Sequence, residues 1–297
     1  MEPLQSGVWG VLPTPFAVTD SAVDSGSLDK ALELFVEAGV SGVVALGVFG
    51  EAAQLTVPER ATVVQRATAT FGARRVVVGL TSIDTDEVIT EARAASAAAE
   101  APLAALMIQI NSTSAEAVVD HLRTVHTETD LPIVFQDYPI ASGVRVTTEL
   151  IIDILGQVDC ISAVKCESPP TSLAIAQLAP HTSAALFGGL GGIGLLDELQ
   201  AGAAGAMTGF SYPEVLVSVV DAWRDGGYAA ARAAVEPWLP LINFEAQVSV
   251  GLSIRKENLR RRGVLASAAV RPPAMAYPSV LASLSDAHQH GIEGLRI

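Results

Sequence analysis

Short apolar runs rich in β-branched residues alternate with longer amphipathic runs through the first two-thirds of the chain. This alternation predicts repeated strand–helix units and a parallel sheet, because short apolar runs suit strands buried on both faces and amphipathic runs suit the helices that cover them. Eight strands are expected, at residues 8–12, 42–46, 75–79, 103–108, 132–136, 160–165, 184–187 and 204–208.

Several helix starts and ends can be read between these strands. Thr56 and Thr113 are each followed three residues later by a glutamate, the capping-box pattern, and Ser27 precedes a helical period of apolar residues. Gly39 and Gly72 stand where helices should end.

After residue 212 the pattern changes to helix after helix, at residues 215–223, 228–239, 244–261 and 278–288. The nearly regular spacing of the eight strand–helix units is typical of a TIM (β/α)8 barrel. We therefore predict an α/β protein with a barrel over residues 1–212 and a C-terminal helical extension over residues 213–297 packed on it.

Composition and net charge restrict the kinds of molecule that this protein can bind. Hydrophobic residues make up 50% of the chain and the net charge is −14, which repels nucleic acid and anionic membrane surfaces. The first residues lack the basic and apolar segments of a secretion signal, and no apolar run is long enough to span a bilayer, so a cytoplasmic location is expected. Neither the histidines nor the two cysteines have metal-ligand spacing, so no metal or other cofactor is expected.

An apolar run that ends in Lys165 is the main candidate for chemistry. Side chains alternate along a strand, so Lys165 and Glu167 would project to one face and Cys166 to the other. The stretch alone leaves two readings open, a reactive buried amine or a strand-end lysine paired with a surface carboxylate. Barrel active sites lie where the strands end, which favours the catalytic reading.

Two glycine-containing loops follow predicted strands at the same end of the barrel. Residues 47–51, Gly-Val-Phe-Gly-Glu, can turn backbone N–H groups toward a carboxylate, or form an ordinary turn. Residues 189–194 match GxGxxG, but they come late in the chain and outside a leading strand–helix–strand unit. We interpret the second loop as a glycine-lined wall of the barrel pocket.

Together these residues resemble the superfamily of dihydrodipicolinate synthases and N-acetylneuraminate lyases over nearly the whole chain. The resemblance rests on Thr14-Pro15-Phe16, the GxxGE loop at residues 47–51, and Lys165 on strand six. It implies that Lys165 forms a Schiff base with the C2 carbonyl of a 2-oxo acid and that the amides of Phe49 and Gly50 hold its carboxylate. It also implies a homo-oligomer, commonly a tetramer.

The positions at which this sequence differs from the superfamily reduce the number of activities to be expected. Hydroxyl residues usual in the loop are replaced by Val48 and Phe49, the usual tyrosine of strand five is replaced by Gln136, and the synthase arginine falls at Ala141. Dihydrodipicolinate synthase activity is therefore disfavoured.

The 2-keto-3-deoxy-L-arabinonate dehydratases are similar in Lys165-Cys166-Glu167, in residues 136–139 and in residues 207–214. The predicted function is a hydro-lyase for a 2-keto-3-deoxy sugar acid, with Lys165 as the imine-forming residue, Glu167 as acid and base, and Gln136 in positioning. The alternatives are a pyruvate-dependent aldolase and, more remotely, a non-catalytic barrel that binds a 2-oxo acid. The predicted substrate-binding residues are Thr14, Gly47, Val48, Phe49, Gly50, Tyr138, Gly189 and Thr208.

Overall fold

The computed structural model describes residues 1–295 and contains a closed barrel of eight parallel strands. Each strand pairs with its neighbour in sequence, and β8 closes on β1. The predicted barrel is confirmed, and each observed strand begins and ends within two residues of its prediction. The strands are β1 Gly7–Val11, β2 Gly42–Ala45, β3 Val76–Gly79, β4 Ala105–Gln109, β5 Ile133–Asp137, β6 Ile161–Cys166, β7 Ala185–Gly188 and β8 Gly205–Thr208.

Twelve α-helices occupy the described chain and mostly cover the barrel. They are α1 Ser25–Glu37, α2 Val57–Phe71, α3 Thr85–Ala99, α4 Ala115–Thr129, α5 Pro139–Ser142, α6 Thr148–Gln157, α7 Thr171–Leu178, α8 Leu195–Gln200, α9 Pro213–Val235, α10 Leu239–Glu245, α11 Gly251–Arg261 and α12 Ala282–Ile292.

The predicted helix starts are correct to within a turn, but two caps differ. Thr56 forms the expected reciprocal capping box with Glu59. The cap of α1 is Asp24 rather than Ser27, and the cap of α4 is Ser114 rather than Thr113, because these are the side chains that accept the first free backbone N–H groups.

Alternation of side chains gives the strands two different environments. Outward-facing residues pack against the helices, and inward-facing residues fill the barrel with one apolar cluster. The inward cluster is Leu4, Trp9, Val11, Val44, Val77, Ala105, Met107, Val134, Ala163, Ala185, Phe187 and Met207. This cluster forms an apolar floor beneath the carboxyl ends of the strands.

The C-terminal helices differ from the prediction in two places. Where two helices were predicted, at residues 215–223 and 228–239, a single helix covers residues 213–235 with a non-helical Gly227, and a short 3-10 turn follows at residues 236–238. The predicted helix over residues 244–261 is wrong, since a turn at 246–250 separates α10 from α11. Gly251 allows this turn, because a Cβ there would collide with the backbone carbonyl of Glu245.

Helix α9 packs against β1, α1 and α8, so it closes the ring of helices around the barrel. The predicted boundary between barrel and extension, after residue 212, therefore falls between β8 and a helix that packs on the barrel. None of the helices in the described part of the chain is long and apolar enough to cross a membrane.

Candidate active site

Three neighbouring strands place polar side chains directly above the apolar floor. Gln109, Gln136 and Lys165 each follow an inward-facing floor residue by two positions, so they also point into the barrel. Gln109 lies opposite Gln136 in the sheet register, and Gln136 lies opposite Lys165. All three side chains are buried. Lys165 is thus a buried amine inside the barrel, in the place where the sequence predicts it.

Glu167 completes a compact group around the amine. Its Oε2 lies 3.1 Å from Lys165 Nζ, and the same oxygen accepts a hydrogen bond of 2.7 Å from Gln136 Nε2. Its backbone N–H donates to the carbonyl of Asp137 at 2.9 Å, which fixes the chain just beyond β6. Gly189 leaves room for this carboxylate, because a Cβ at Gly189 would overlap it. The predicted trio of Lys165, Glu167 and Gln136 is therefore brought together.

The loop at residues 47–51 covers the floor from the β2 side. A Cβ at Gly47 would lie 3.0 Å from Val11, within van der Waals contact of the floor. The Gly50 N–H donates to the Gly47 carbonyl at 2.9 Å, and Thr14 Oγ1 donates to the Gly50 carbonyl at 2.6 Å. Thr14 therefore positions the loop, and the Gly50 amide already has an acceptor. The Val48 side chain is half exposed.

Glu51, the last residue of this loop, anchors it to the C-terminal part of the chain. It forms a buried ion pair with Lys256 of α11, and its other oxygen accepts the Arg271 N–H at 2.8 Å. Lys256 Nζ also donates to the carbonyls of Thr14 at 2.8 Å and Ala269 at 2.9 Å. Burial lowers the pKa of Lys256, and the Glu51 carboxylate opposes this shift. The second buried lysine is thus fully bonded and structural.

Aromatic and charged groups surround the mouth of the barrel. The Phe49 ring packs on Gly209, where a Cβ would lie 2.5 Å from the ring, and Arg255 Cζ lies 5.3 Å from the ring centroid. Burial raises the pKa of Tyr138, with a further increase from Glu167 and an opposing effect from Arg255. Phe49 and Tyr138 are predicted substrate-binding residues, whereas Arg255 was not assigned to the site.

The hydroxyl of Thr208 is used by the second loop. Its neighbour Met207 faces the floor, so Thr208 points outward, and its Oγ1 accepts the Gly191 N–H at 2.8 Å. Leu190 and Gly191 have positive φ angles of 50° and 75°. A non-glycine residue in this region is strained, and such strain is common in loops that are held for function. Thr208 therefore holds the wall that contains Gly189.

Two buried carboxyl groups lie behind the site, on the helix side of the sheet. Burial is the main cause that raises the pKa of Asp137 to about 6 and that of Glu198 to about 7, and Glu167 raises both further. Thr171 Oγ1 donates to Glu198 Oε1 at 2.6 Å. Gly188 and Gly194 have no side chain where this carboxyl lies. Neither acid is identified from the sequence, because Asp137 at the outward-facing end of β5 and Glu198 on the amphipathic helix α8 both occupy positions where solvated carboxylates are common.

Gln109 and Arg255 are two further residues at the site that the sequence analysis does not identify. For Gln109 the sequence does contain a signal, the alternation of side chains along β4. Gln109 continues the inward parity of Ala105 and Met107, and its Oε1 has no hydrogen-bond partner within residues 1–295. No comparable local signal identifies Arg255, which comes from a strongly polar helix.

Comparison with known proteins agrees with this geometry. Residues 4–280 match the dihydrodipicolinate synthetase family. The chain is 31% identical over 282 residues to the L-2-keto-3-deoxyarabonate dehydratase of Azospirillum brasilense, covering 91% of this chain and 89% of that protein. It is 30% identical over 288 residues to the 4-hydroxy-tetrahydrodipicolinate synthase of Kineococcus radiotolerans, covering 94% and 90%.

Among solved structures, the dihydrodipicolinate synthase of Rhodopseudomonas palustris superposes with a TM-score of 0.88 at 30% identity, over 98% of this chain and 99% of that one. The similarity thus extends over both the barrel and the C-terminal helices. The chain belongs to the dihydrodipicolinate synthetase family, whose related members are lyases.

Proposed function

We propose that this protein is a Schiff-base-forming hydro-lyase that dehydrates a 2-keto-3-deoxy sugar acid such as 2-keto-3-deoxy-L-arabinonate. The observation that carries the proposal is the contact of one Glu167 oxygen with both Lys165 and Gln136 inside the barrel. This contact places one proton-exchanging group beside the amine, and it leaves Glu167 Oε1 for the substrate.

Imine formation is the first step. Glu167 Oε2 lies close enough to Lys165 Nζ to take the ammonium proton, and the free amine then attacks the C2 carbonyl of the substrate. Loss of water from the carbinolamine gives the protonated imine. Gln136 cannot exchange protons at neutral pH, so its amide holds the carboxylate in place.

The Glu167 carboxylate also acts as acid and base in the dehydration. The protonated imine withdraws electrons from C2 and acidifies C3, so Glu167 removes a C3 proton and an enamine forms. Glu167 then returns this proton to the C4 hydroxyl, which leaves as water while the electron pair restores a conjugated imine. Hydrolysis and tautomerisation release a 2-oxo semialdehyde and regenerate Lys165.

The loop at residues 47–51 would hold the substrate carboxylate. Since the Gly50 N–H already donates to Gly47, we assign this role to the Phe49 amide, with Thr14 fixing the loop. Phe49, Tyr138 and Gly189 would form the walls around the substrate chain, and Thr208 would support the wall that contains Gly189.

A dehydratase fits the site better than a synthase. Val48 and Phe49 replace the hydroxyl residues that relay protons in the synthases, and Gln136 replaces their tyrosine. Ala141 cannot supply the arginine that binds the second synthase substrate. The A. brasilense relative named as a dehydratase supports this choice.

Borohydride reduction tests the imine directly. The chain contains only three lysines, and the structure gives each a different environment: Lys30 is exposed, Lys256 is in the buried ion pair, and Lys165 is in the site. Reduction with a 2-keto-3-deoxy acid, followed by peptide mass mapping, should modify Lys165 and leave Lys30 and Lys256 unmodified. An unmodified Lys165 across a broad set of 2-oxo acids would support the non-catalytic barrel.

Product analysis separates dehydration from aldol cleavage. Incubation with 2-keto-3-deoxy acids should release a 2-oxo semialdehyde, whereas pyruvate as the main product would identify an aldolase. Glu167→Gln should slow imine formation, although prolonged borohydride treatment should still modify Lys165, and it should slow dehydration by about 10²- to 10⁴-fold, the usual contribution of general acid–base catalysis. Undiminished dehydration in this variant would refute the role of Glu167.

A further inference from the structure

Arg255 of α11 is a nearly buried cation with unused hydrogen-bond donors. Its side chain is 14% exposed, and its guanidinium makes no hydrogen bond to any residue in the described range 1–295. Its Nε lies 3.7 Å from Glu245 Oε2, too far for a good hydrogen bond. A guanidinium has five N–H donors, and leaving them unfilled in a buried position costs free energy.

Glu245 lies close to Arg255 and balances its charge, but it does not accept hydrogen bonds from the Arg255 guanidinium. The oxygens of Glu245 accept the Ser211 N–H at 3.1 Å, the Ser211 hydroxyl, and Asn258 Nδ2 at 2.7 Å. The carboxylate is therefore held by Ser211 and Asn258. Arg255 has a counter-ion close by, while its donors stay available to another group.

The position of Arg255 places these donors at the mouth of the candidate active site. A Cβ at Gly191 would lie 2.5 Å from Arg255 Nη2, and Gly189, two residues earlier, lies against Glu167. The guanidinium also stands over the Phe49 ring at 5.3 Å. Burial lowers the pKa of Arg255, while Glu245, Tyr138 and Glu167 each oppose that shift. Arg255 thus lies against the two loops that carry Phe49 and Gly189, at the end of the barrel where Lys165 lies.

We propose that Arg255 determines substrate specificity by binding the oxygen atoms at the end of the substrate chain that is far from Lys165. This inference rests on the proposed function, because the imine with Lys165 fixes C2 and directs the far end toward the mouth. A planar guanidinium can donate two parallel hydrogen bonds, to a carboxylate or to a pair of oxygens. The substrate class is therefore a 2-oxo acid with oxygen substituents at its far end.

Three five-carbon acids that differ only at C5 provide the test. In 2-oxoglutarate C5 is a carboxylate, in 5-hydroxy-2-oxopentanoate it carries a hydroxyl, and in 2-oxopentanoate it is a methyl group. The measurement is the concentration of each acid that gives half-maximal borohydride modification of Lys165. At least one of the two oxygen-bearing acids should be effective at a concentration about tenfold or more below that of 2-oxopentanoate. The more effective of them identifies the far-end group.

Arg255→Met should remove this preference, since methionine keeps an unbranched apolar stem without donors. Its half-maximal concentration for 2-oxopentanoate should stay close to that of the unchanged protein, which also shows that the variant is folded. Arg255→Lys, which keeps the charge but loses the fork, should retain only part of the preference. Arg224→Met is the matched control, because Arg224 is exposed on α9 and pairs with surface aspartates.

The outcomes distinguish this inference from the proposed function. Equal half-maximal concentrations for all three acids, or a preference that survives in Arg255→Met, would refute the role of Arg255 while leaving the imine intact. Failure of every acid to modify Lys165 would refute the proposed function and this inference together.

Discussion

Replacing Lys256 by methionine should destabilise the whole barrel, although Lys256 is far from Lys165 along the chain. Its side chain is completely buried and its ammonium group holds Glu51, the Thr14 carbonyl and the Ala269 carbonyl. Methionine has a similar volume but no donor. The substitution leaves Glu51 as a buried carboxylate whose remaining hydrogen-bond donor, among residues 1–295, is the Arg271 N–H.

The expected cost is that of an uncompensated buried charge, about 3–5 kcal/mol of the free energy of unfolding. At about 2 °C per kcal/mol for a chain of this size, the thermal midpoint should fall by roughly 6–10 °C. Thermal and urea unfolding at neutral pH measure this loss. Lys30→Met is the control, because Lys30 is exposed on α1 and its substitution should change the free energy of unfolding by less than about 0.5 kcal/mol.

The double variant Glu51→Met with Lys256→Met separates the ion pair from general packing. It removes both charges, so its loss of stability should be smaller than the sum of the two single losses. A cost below about 1 kcal/mol for Lys256→Met alone, or strict additivity in the double variant, would show that the buried pair does not anchor the loop.

Two further predictions concern the glycine wall and the acid behind it. Gly189→Ala should displace Glu167 and slow dehydration by about 10²-fold while Lys165 is still modified, whereas Gly156→Ala, where a Cβ meets nothing within 4 Å, should have no effect on rate. Equal rates for the two variants would contradict the packing of Glu167. The pKa of Glu198 is raised from 4.5 to about 7 in the folded protein, so its stabilising contribution is complete below 4.5 and declines as the pH rises to about 7. Glu198→Gln should therefore unfold near the wild-type temperature at about pH 5 and above it at about pH 8, and parallel pH profiles would refute the shift.

The sequence was sufficient to predict the barrel and the position of the Lys165 amine inside it. Each strand is a short apolar run, and a parity of two places Lys165 and Glu167 on one face, so local patterns determine these features. Gln109 follows the same parity, but the predicted strand stopped at residue 108. The break between α10 and α11 depends on contact between Gly251 and the Glu245 backbone, which no hydrophobic period reveals.

The residues that the sequence did not reveal depend on partners distant in the chain. Lys256 and Arg255 lie in a helix of strongly polar composition, yet the Lys256 side chain is buried and that of Arg255 is only 14% exposed. The partner of Lys256 is Glu51, 205 positions earlier, and the ring beside Arg255 belongs to Phe49. Burial of a charge depends on such tertiary contacts, so residue type alone does not reveal it.

The C-terminal helices form the ceiling of the site. Lys256 of α11 fixes Glu51, and Arg255 of the same helix contacts Phe49, so α11 holds the loop after β2 at two points. Glu245 at the end of α10 accepts the N–H of Ser211 just after β8, which ties the opposite rim to the same region. In the proposed function, substrate selection would therefore depend on α10 and α11, and imine chemistry on β5 and β6. We therefore expect that changes in the C-terminal helices alter which 2-oxo acid is accepted without moving Lys165, in line with the general rule that one fold can carry different activities.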